Sequence, residues 1–187
     1  MVAPLKNQNH VPQRKRWTVG ELLAMDKAGL LDPEKHVELI DGEVYEMAIG
    51  EDHADVVDHL NEALVAKFAG RARVRVQNPV FLDEHDLPQP DFALLDLAQN
   101  YKLHHPKPEN TYLVIEVSDS TLVFDRGKKL KRYALMGLRE VWIVNLQDRQ
   151  TEVFRDPQGD EYLTRFVVQP GQSVAPSAFP NDPVIPL

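Results

Sequence analysis

Two hydrophobic rhythms alternate along the chain and lay out its elements in order. Across residues 52–68, Val56, Val57, Leu60, Ala63, Leu64 and Phe68 recur at helical spacing, and Gly70 stands where such a helix ends. Earlier, Thr18-Val19-Gly20-Glu21 has the form of a capping box and predicts a short helix carrying Leu22, Leu23 and Met25, closed by Gly29. Between the two helices, HVELI and EVYEM flank Asp41-Gly42, a strong hairpin signal.

Further along, the rhythm changes to short apolar runs. They predict strands at 74–76, 79–82, 91–95, within 110–120, at 141–144, 151–155 and 162–168, with turns at 83–86 and 156–159. A third helix is expected over 125–136, with Leu130, Tyr133 and Ala134 inward and Gly137 at its end. The order helix, hairpin, helix, antiparallel strands, helix, strand, hairpin describes one α/β domain built on a mixed sheet flanked by helices. The expected organisation is a flexible polar tail at 1–16, the domain at 17–169 and a proline-rich tail at 170–187.

Composition narrows the function without naming it. No cysteine is present, so disulfides and cysteine metal sites play no part. No apolar run has membrane-spanning length and no apolar segment follows the basic N-terminus, which predicts a soluble, cytoplasmic protein. The formal net charge of −8 argues against broad nucleic-acid binding through phosphate neutralisation, yet leaves room for a local basic groove. Arg126, Lys128, Lys131 and Arg132 form the densest basic cluster and are the candidate nucleic-acid contacts, with Lys128 and Lys131 expected to point outward; a solvated helix face is the commoner fate of such a run.

The chemistry starts from one carboxylate. Glu116 lies inside NTYLVIEVSDS, a run that otherwise reads as a buried strand. Its burial requires a cation, either an arginine or a metal, a hydrogen-bond cage or a raised pKa. Asp91 follows Pro90 at the start of an earlier strand, so an antiparallel pairing would bring Asp91 and Glu116 together at one rim of the sheet. Two converging carboxylates stay ionised only with a cation between them, and Mg²⁺ takes hard oxygen ligands while leaving positions for water and phosphate. On the following helix, Asp125, Lys129 and Tyr133 recur at four-residue steps, which sets Lys129 beside the inward stripe; the alternative for Lys129 is a modest helix pair with Asp125. His104 and His105, adjacent in a proline-rich connector, read as loop residues.

The ordered set VELIDGEVYEM, a histidine opening the next helix, Pro90-Asp91, Ile115-Glu116-Val117-Ser118, Asp125-x-x-x-Lys129-x-x-x-Tyr133 and REVWIVN resembles the Uma-two family of restriction endonucleases over roughly residues 17–155. That resemblance implies the PD-(D/E)XK nuclease fold, with Asp91 and Glu116 as metal ligands. Ser118 stands where the usual motif has lysine, and the family pattern suggests Lys129 as a displaced replacement. Glu38 and His53 match positions the family often keeps, as supporting groups or an additional ligand. For His53 the alternative is a satisfied, partly buried histidine, and for Glu38 an exposed hairpin carboxylate.

The leading expectation is thus a Mg²⁺- or Mn²⁺-dependent endonuclease acting on DNA, with Asp91, Glu116 and Lys129 catalytic and a homodimer compatible with double-strand cleavage. One rival is a binding module that keeps the fold without cleaving. Another is an enzyme for a smaller phosphate ester.

Overall fold

The computed structural model describes residues 12–47 and 50–187; most of the polar tail expected at 1–16 lies outside the described residues. Thr18 caps the first helix, α1 (Val19–Lys27), through the capping box its sequence announces. Strands β1 (His36–Ile40) and β2 (Glu43–Met47) form an antiparallel hairpin around Asp41-Gly42, both in the left-handed region that tight hairpins require. Helix α2 (Glu51–Phe68) follows, then strands β3 (Arg73–Val76) and β4 (Phe92–Leu95).

Strand β5 (Thr111–Ser118) leads into a helical crossover of three parts: α3 (Leu122–Phe124), a π turn (Asp125–Lys129) and α4 (Leu130–Leu135). In the π turn the Leu130 N–H reaches back five residues to the Asp125 carbonyl. Strands β6 (Glu140–Asn145), β7 (Gln150–Gln158) and β8 (Glu161–Val168) complete a six-stranded sheet ordered β3-β4-β5-β6-β7-β8. Every neighbouring pair is antiparallel except β5 and β6, whose parallel pairing is what makes the helical crossover necessary.

Both faces of the sheet are covered. On one, α2 packs Leu60, Leu64 and Phe68 against Phe92, Leu113, Ile115 and Trp142. On the other, Leu122 and Tyr133 pack against Ala93, Val114 and Ile143. Successive residues of β4 and β5 therefore enter opposite cores, as the two-residue period demands of a doubly covered sheet. Under α1, Val19 and Leu22 meet Leu39 and Leu87 in a smaller third cluster.

Two segments differ from the sequence expectation. Residues 79–82 form no strand: the N–H groups of Val80, Phe81 and Leu82 bond to Pro88, Pro106 and Asp86, one to each of three places, and not to a single partner strand. Strand β7 runs on to Gln158 with Pro157 inside it, so the hairpin turns two residues later than its sequence suggests. The proline-rich segment from Pro170 is irregular but seated: Val174 and Val184 bridge each other in the core beneath α2, and Phe179 packs on Phe68 and Tyr112.

Candidate active site

Asp91 stands one residue before β4. Because Phe92 pairs with Ile115, Asp91 falls opposite Glu116 at the rim of the sheet. Its carboxylate is held from three sides. The Val117 N–H donates to Oδ2 at 2.8 Å, Gln77 Nε2 donates to Oδ1 at 3.3 Å, and His53 Nε2, from the first turn of α2, lies 3.0 Å from Oδ1. The hydrogen bond to Asp91 is the largest influence on His53 and raises its pKa against the opposing effect of burial. Gln77 takes this position with a backbone φ of 49°, a strained region for a residue with a side chain.

Glu116 comes from β5 and meets the crossover helix. Lys129 Nζ lies 2.9 Å from Glu116 Oε1, and the Tyr133 hydroxyl donates to the same oxygen at 2.6 Å. Among the described residues Glu116 Oε2 accepts no hydrogen bond, and Glu116 lines a cleft together with Asp91, Lys129, Asp125 and His53. Lys129 is only 2% exposed in its side chain and also reaches Glu38 Oε1 at 2.9 Å and Asp125 Oδ1 at 3.5 Å. Three carboxylates thus surround one ammonium. Burial is the chief reason that Glu116 is pushed up to about 8, with Lys129 pulling it back and Asp125, Glu38 and Asp91 pushing it further. Burial opposes the charge on Lys129, but Glu116, Glu38 and Asp125 outweigh it and hold the ammonium well above its ordinary range. Lys129 is therefore a fixed positive charge and not a base. Tyr133, raised well above its ordinary range by burial and then by Glu116, stays a neutral donor.

The surrounding shell orients these groups. Glu38, offered by the sequence as a possible exposed hairpin carboxylate, is instead fully buried, and the Gln89 N–H donates to its Oε1 at 2.7 Å. Its second oxygen is buried with no partner among the described residues, so the cluster there has more carboxylates than cations. Ser118, at the position of the usual lysine, donates to Asp125 Oδ2 at 2.7 Å, and Thr121 donates to the same oxygen at 2.6 Å. Gln77 and Gln89 are contributors that sequence reading missed, and Gln89 Nε2 ties them by donating to the Gln77 carbonyl at 2.7 Å. Loop amides carry no pattern that would single them out.

The basic cluster on the helix is arranged differently from its sequence expectation. Arg126 binds Glu152, with Nε at 2.7 Å from Oε1. Lys128, expected to point outward, binds Glu43 and lies 2.9 Å from the Tyr45 hydroxyl. Arg132 binds Asp83 at 2.9 Å and Asp86. Lys131 is the exposed member, with a loose contact to Asp160 at 3.7 Å. The carboxylates come from distant segments, which neutralise what reads locally as a basic face.

The donor set defines what the site could hold. Among the described residues no three His, Asp or Glu side chains converge closely enough to hold a metal ion. Two carboxylates do line the cleft, and one or two protein carboxylates are what Mg²⁺ usually takes, with water and substrate phosphate filling the remainder.

A family model described as "Putative restriction endonuclease" (Uma2) matches residues 19–187. Among solved structures, the chain is similar to one described as a putative nuclease belonging to DUF820 from Anabaena variabilis ATCC 29413, with a TM-score of 0.64 at 16% identity, covering 87% of this chain and 90% of that one. At that identity the likeness speaks for the fold: a mixed sheet flanked by helices. No match was found among curated proteins. No helix among the described residues is long and apolar enough to cross a membrane.

Proposed function

The chain belongs to the Uma2 family of restriction-endonuclease-like proteins, and from that premise we propose that its cleft is the active site of a metal-dependent endonuclease hydrolysing DNA phosphodiester bonds. The observation that carries the reading is the meeting of Asp91, Glu116 and Lys129 in one cleft, with an oxygen of Glu116 left without a hydrogen bond. In this reading Asp91 and Glu116 would hold Mg²⁺ or Mn²⁺. When bound, such an ion neutralises charge on the scissile phosphate and lowers the pKa of a coordinated water.

The chain's own residues do the rest. Val117, Gln77 and His53 fix the rotamer of Asp91, so that little ordering is left for the moment of binding. Tyr133 and Lys129 both engage Glu116 Oε1 and thereby aim the other oxygen at the cleft. Lys129 keeps a positive charge at the wall where a phosphate oxygen would gain negative charge, a role in which position matters and the element of origin does not. Ser118 and Thr121 bind Asp125 and limit its competition for that ammonium.

The test is single-turnover cleavage of duplex DNA with and without Mg²⁺, alongside calorimetric titration of Mn²⁺ into wild type and Asp91→Ala. Metal-dependent strand scission that Asp91→Ala abolishes, together with loss of the calorimetric signal, is the expected result. A second reading, a binding module without cleavage, draws on the internal pairing of Arg126, Lys128 and Arg132, which removes the most obvious phosphate contacts. In that reading the partner is a protein, and absence of both duplex binding and metal-dependent scission would select it.

A further inference from the structure

The cations of the helix are paired, and among the described residues two that are not stand on strand β3. Strand β3 is an edge of the six-stranded sheet, and it runs directly into Gln77, which holds Asp91. Arg73 and Arg75 share one face of that edge, about 7 Å apart by the two-residue repeat of a strand, and by register it is the face of Leu95 and Ala93. Neither guanidinium has a carboxylate within 4.0 Å among the described residues, in contrast to Arg126, Arg132, Arg155 and Arg165, which all do.

Both guanidinium groups lie 5.7 Å from the centre of the Tyr101 ring. That ring gives them a cation–π contact, while among the described residues neither guanidinium hydrogen-bonds the Tyr101 hydroxyl, which donates to the Asp96 carbonyl at 2.9 Å. The nearby Asp96 carboxylate is itself engaged, accepting the Ala98 N–H at 3.0 Å. Among the described residues Arg75 Nη1 is buried and has no hydrogen-bond partner. Lys107, exposed over the Phe81 ring at 5.8 Å, and half-buried His105 extend the patch. Burial, then Arg75 and His104, depress the pKa of His105, so the field of Arg75 reaches across to the loop.

Charges on an edge strand also discourage strand addition, but that role asks for solvated side chains. A guanidinium with a buried, unpaired N–H is costly and calls for an acceptor, of which an anionic oxygen is the strongest for a cation. We propose that Arg73 and Arg75, extended by Lys107, form a track for the phosphate backbone of DNA leading along the β3 edge into the cleft. The choice of DNA rests on the nuclease reading of the site; the demand for a phosphate-like anion does not. Recognition here is of backbone and not of bases, since the one aromatic ring of the patch is buried under the arginines and closed to stacking.

The experiment is fluorescence anisotropy of a labelled duplex with metal-free full-length protein in EDTA, over a salt series. Each phosphate contact contributes about 0.9 to the slope of log affinity against log salt. Arg73→Gln should lower the slope by about 1 and the double variant Arg73→Gln with Arg75→Gln by about 2, while Arg73→Lys and the control Arg149→Gln leave it unchanged. An unchanged slope in Arg73→Gln, whose exposed side chain can be replaced without disturbing the core, overturns the track, as does absence of binding by wild type. If the double variant fails to fold, the single one decides. Cleavage with Mg²⁺ is read separately. Binding with the expected slopes but no scission leaves the track standing and removes the nuclease reading, whereas scission with unaltered slopes does the reverse.

Discussion

The sheet buries carboxylates in two regions, and they are satisfied in opposite ways. On β6 and β7, Glu140 and Glu152 are closed off. Glu140 accepts from Trp142 at 2.7 Å, Arg155 at 2.9 Å and the Ser177 N–H at 2.7 Å, so both its oxygens are used. Glu152 binds Arg126 on one oxygen and Arg165 on the other. On β5, by contrast, Glu116 shares a single ammonium with Glu38 and Asp125 and keeps an oxygen facing a cleft. A buried carboxylate in a strand is thus no mark of catalysis by itself. Charge imbalance and an open lone pair separate a site from a structural pair.

The largest effect that sharpens this contrast is expected from Lys129→Ala. It removes the ammonium that three carboxylates share, so cleavage should fall by about 100- to 1000-fold and stability by about 3–5 kcal/mol. Single-turnover rates and denaturant melts, taken where circular dichroism reports a folded chain, measure both. Adding Ser118→Lys to that variant should restore part of the rate, because position 118 shares the face of Glu116 and already touches Asp125. Full activity in Lys129→Ala would remove this residue from the site.

Next in size, Glu140→Gln should cost about 1–3 kcal/mol, since it weakens a satisfied network. It should leave the metal response and the cleavage rate untouched. Glu116→Gln should do the opposite. Its metal-free melting temperature should equal or exceed that of wild type, because the amide replaces a carboxyl whose charged form burial already disfavours, and the rise with Mg²⁺, about 1.4 kcal/mol at ten times the dissociation constant, should vanish. Equal metal-induced shifts in wild type and Glu116→Gln would break the comparison.

The smallest effect concerns the hairpin. Lys128 first and Tyr45 next hold the exposed Glu43 carboxyl down at about 2, against an ordinary 4.5. A depressed folded-state pKa gives stability that is present above the unfolded value and lost as pH falls through the folded one. Glu43→Gln should therefore flatten the acid-side decline between pH 4.5 and 2. High salt should shrink the difference, as solvent and ions screen a surface pair.

What was legible in the sequence follows from range. The capping box at Thr18, the Asp41-Gly42 hairpin and the stripe of α2 are local signals, and the structure carries them where the residues place them. The approach of Asp91 to Glu116 was legible too, because one assumption, antiparallel neighbours, fixes a register between two short runs. Residues 79–82 misled because burial of Val80 and Leu82 imitates a strand while their N–H groups scatter to three partners. The basic run at 126–132 misled for a related reason. Its charges are visible locally, but Glu43, Asp83, Asp86 and Glu152, which neutralise them, arrive only on folding. The unpaired arginines of β3 were overlooked for the converse reason: nothing in a sequence records that an acid fails to arrive.

The π turn at 125–129 gives the crossover helix a phase. An α-helix advances about 100° per residue, and the five-residue step from Asp125 to Leu130 offsets the half that carries Tyr133 from the half that begins at Leu122. A Cβ on Gly127 would meet nothing within 4 Å, so this glycine answers no steric demand and instead keeps the turn pliable. Rewound as a plain α-helix with every residue kept, the segment would leave Asp125 on Ser118 and Thr121 but carry Tyr133 away from Glu116 by about 100°. The alignment of the two halves is thus held by one wide turn that absorbs an extra residue.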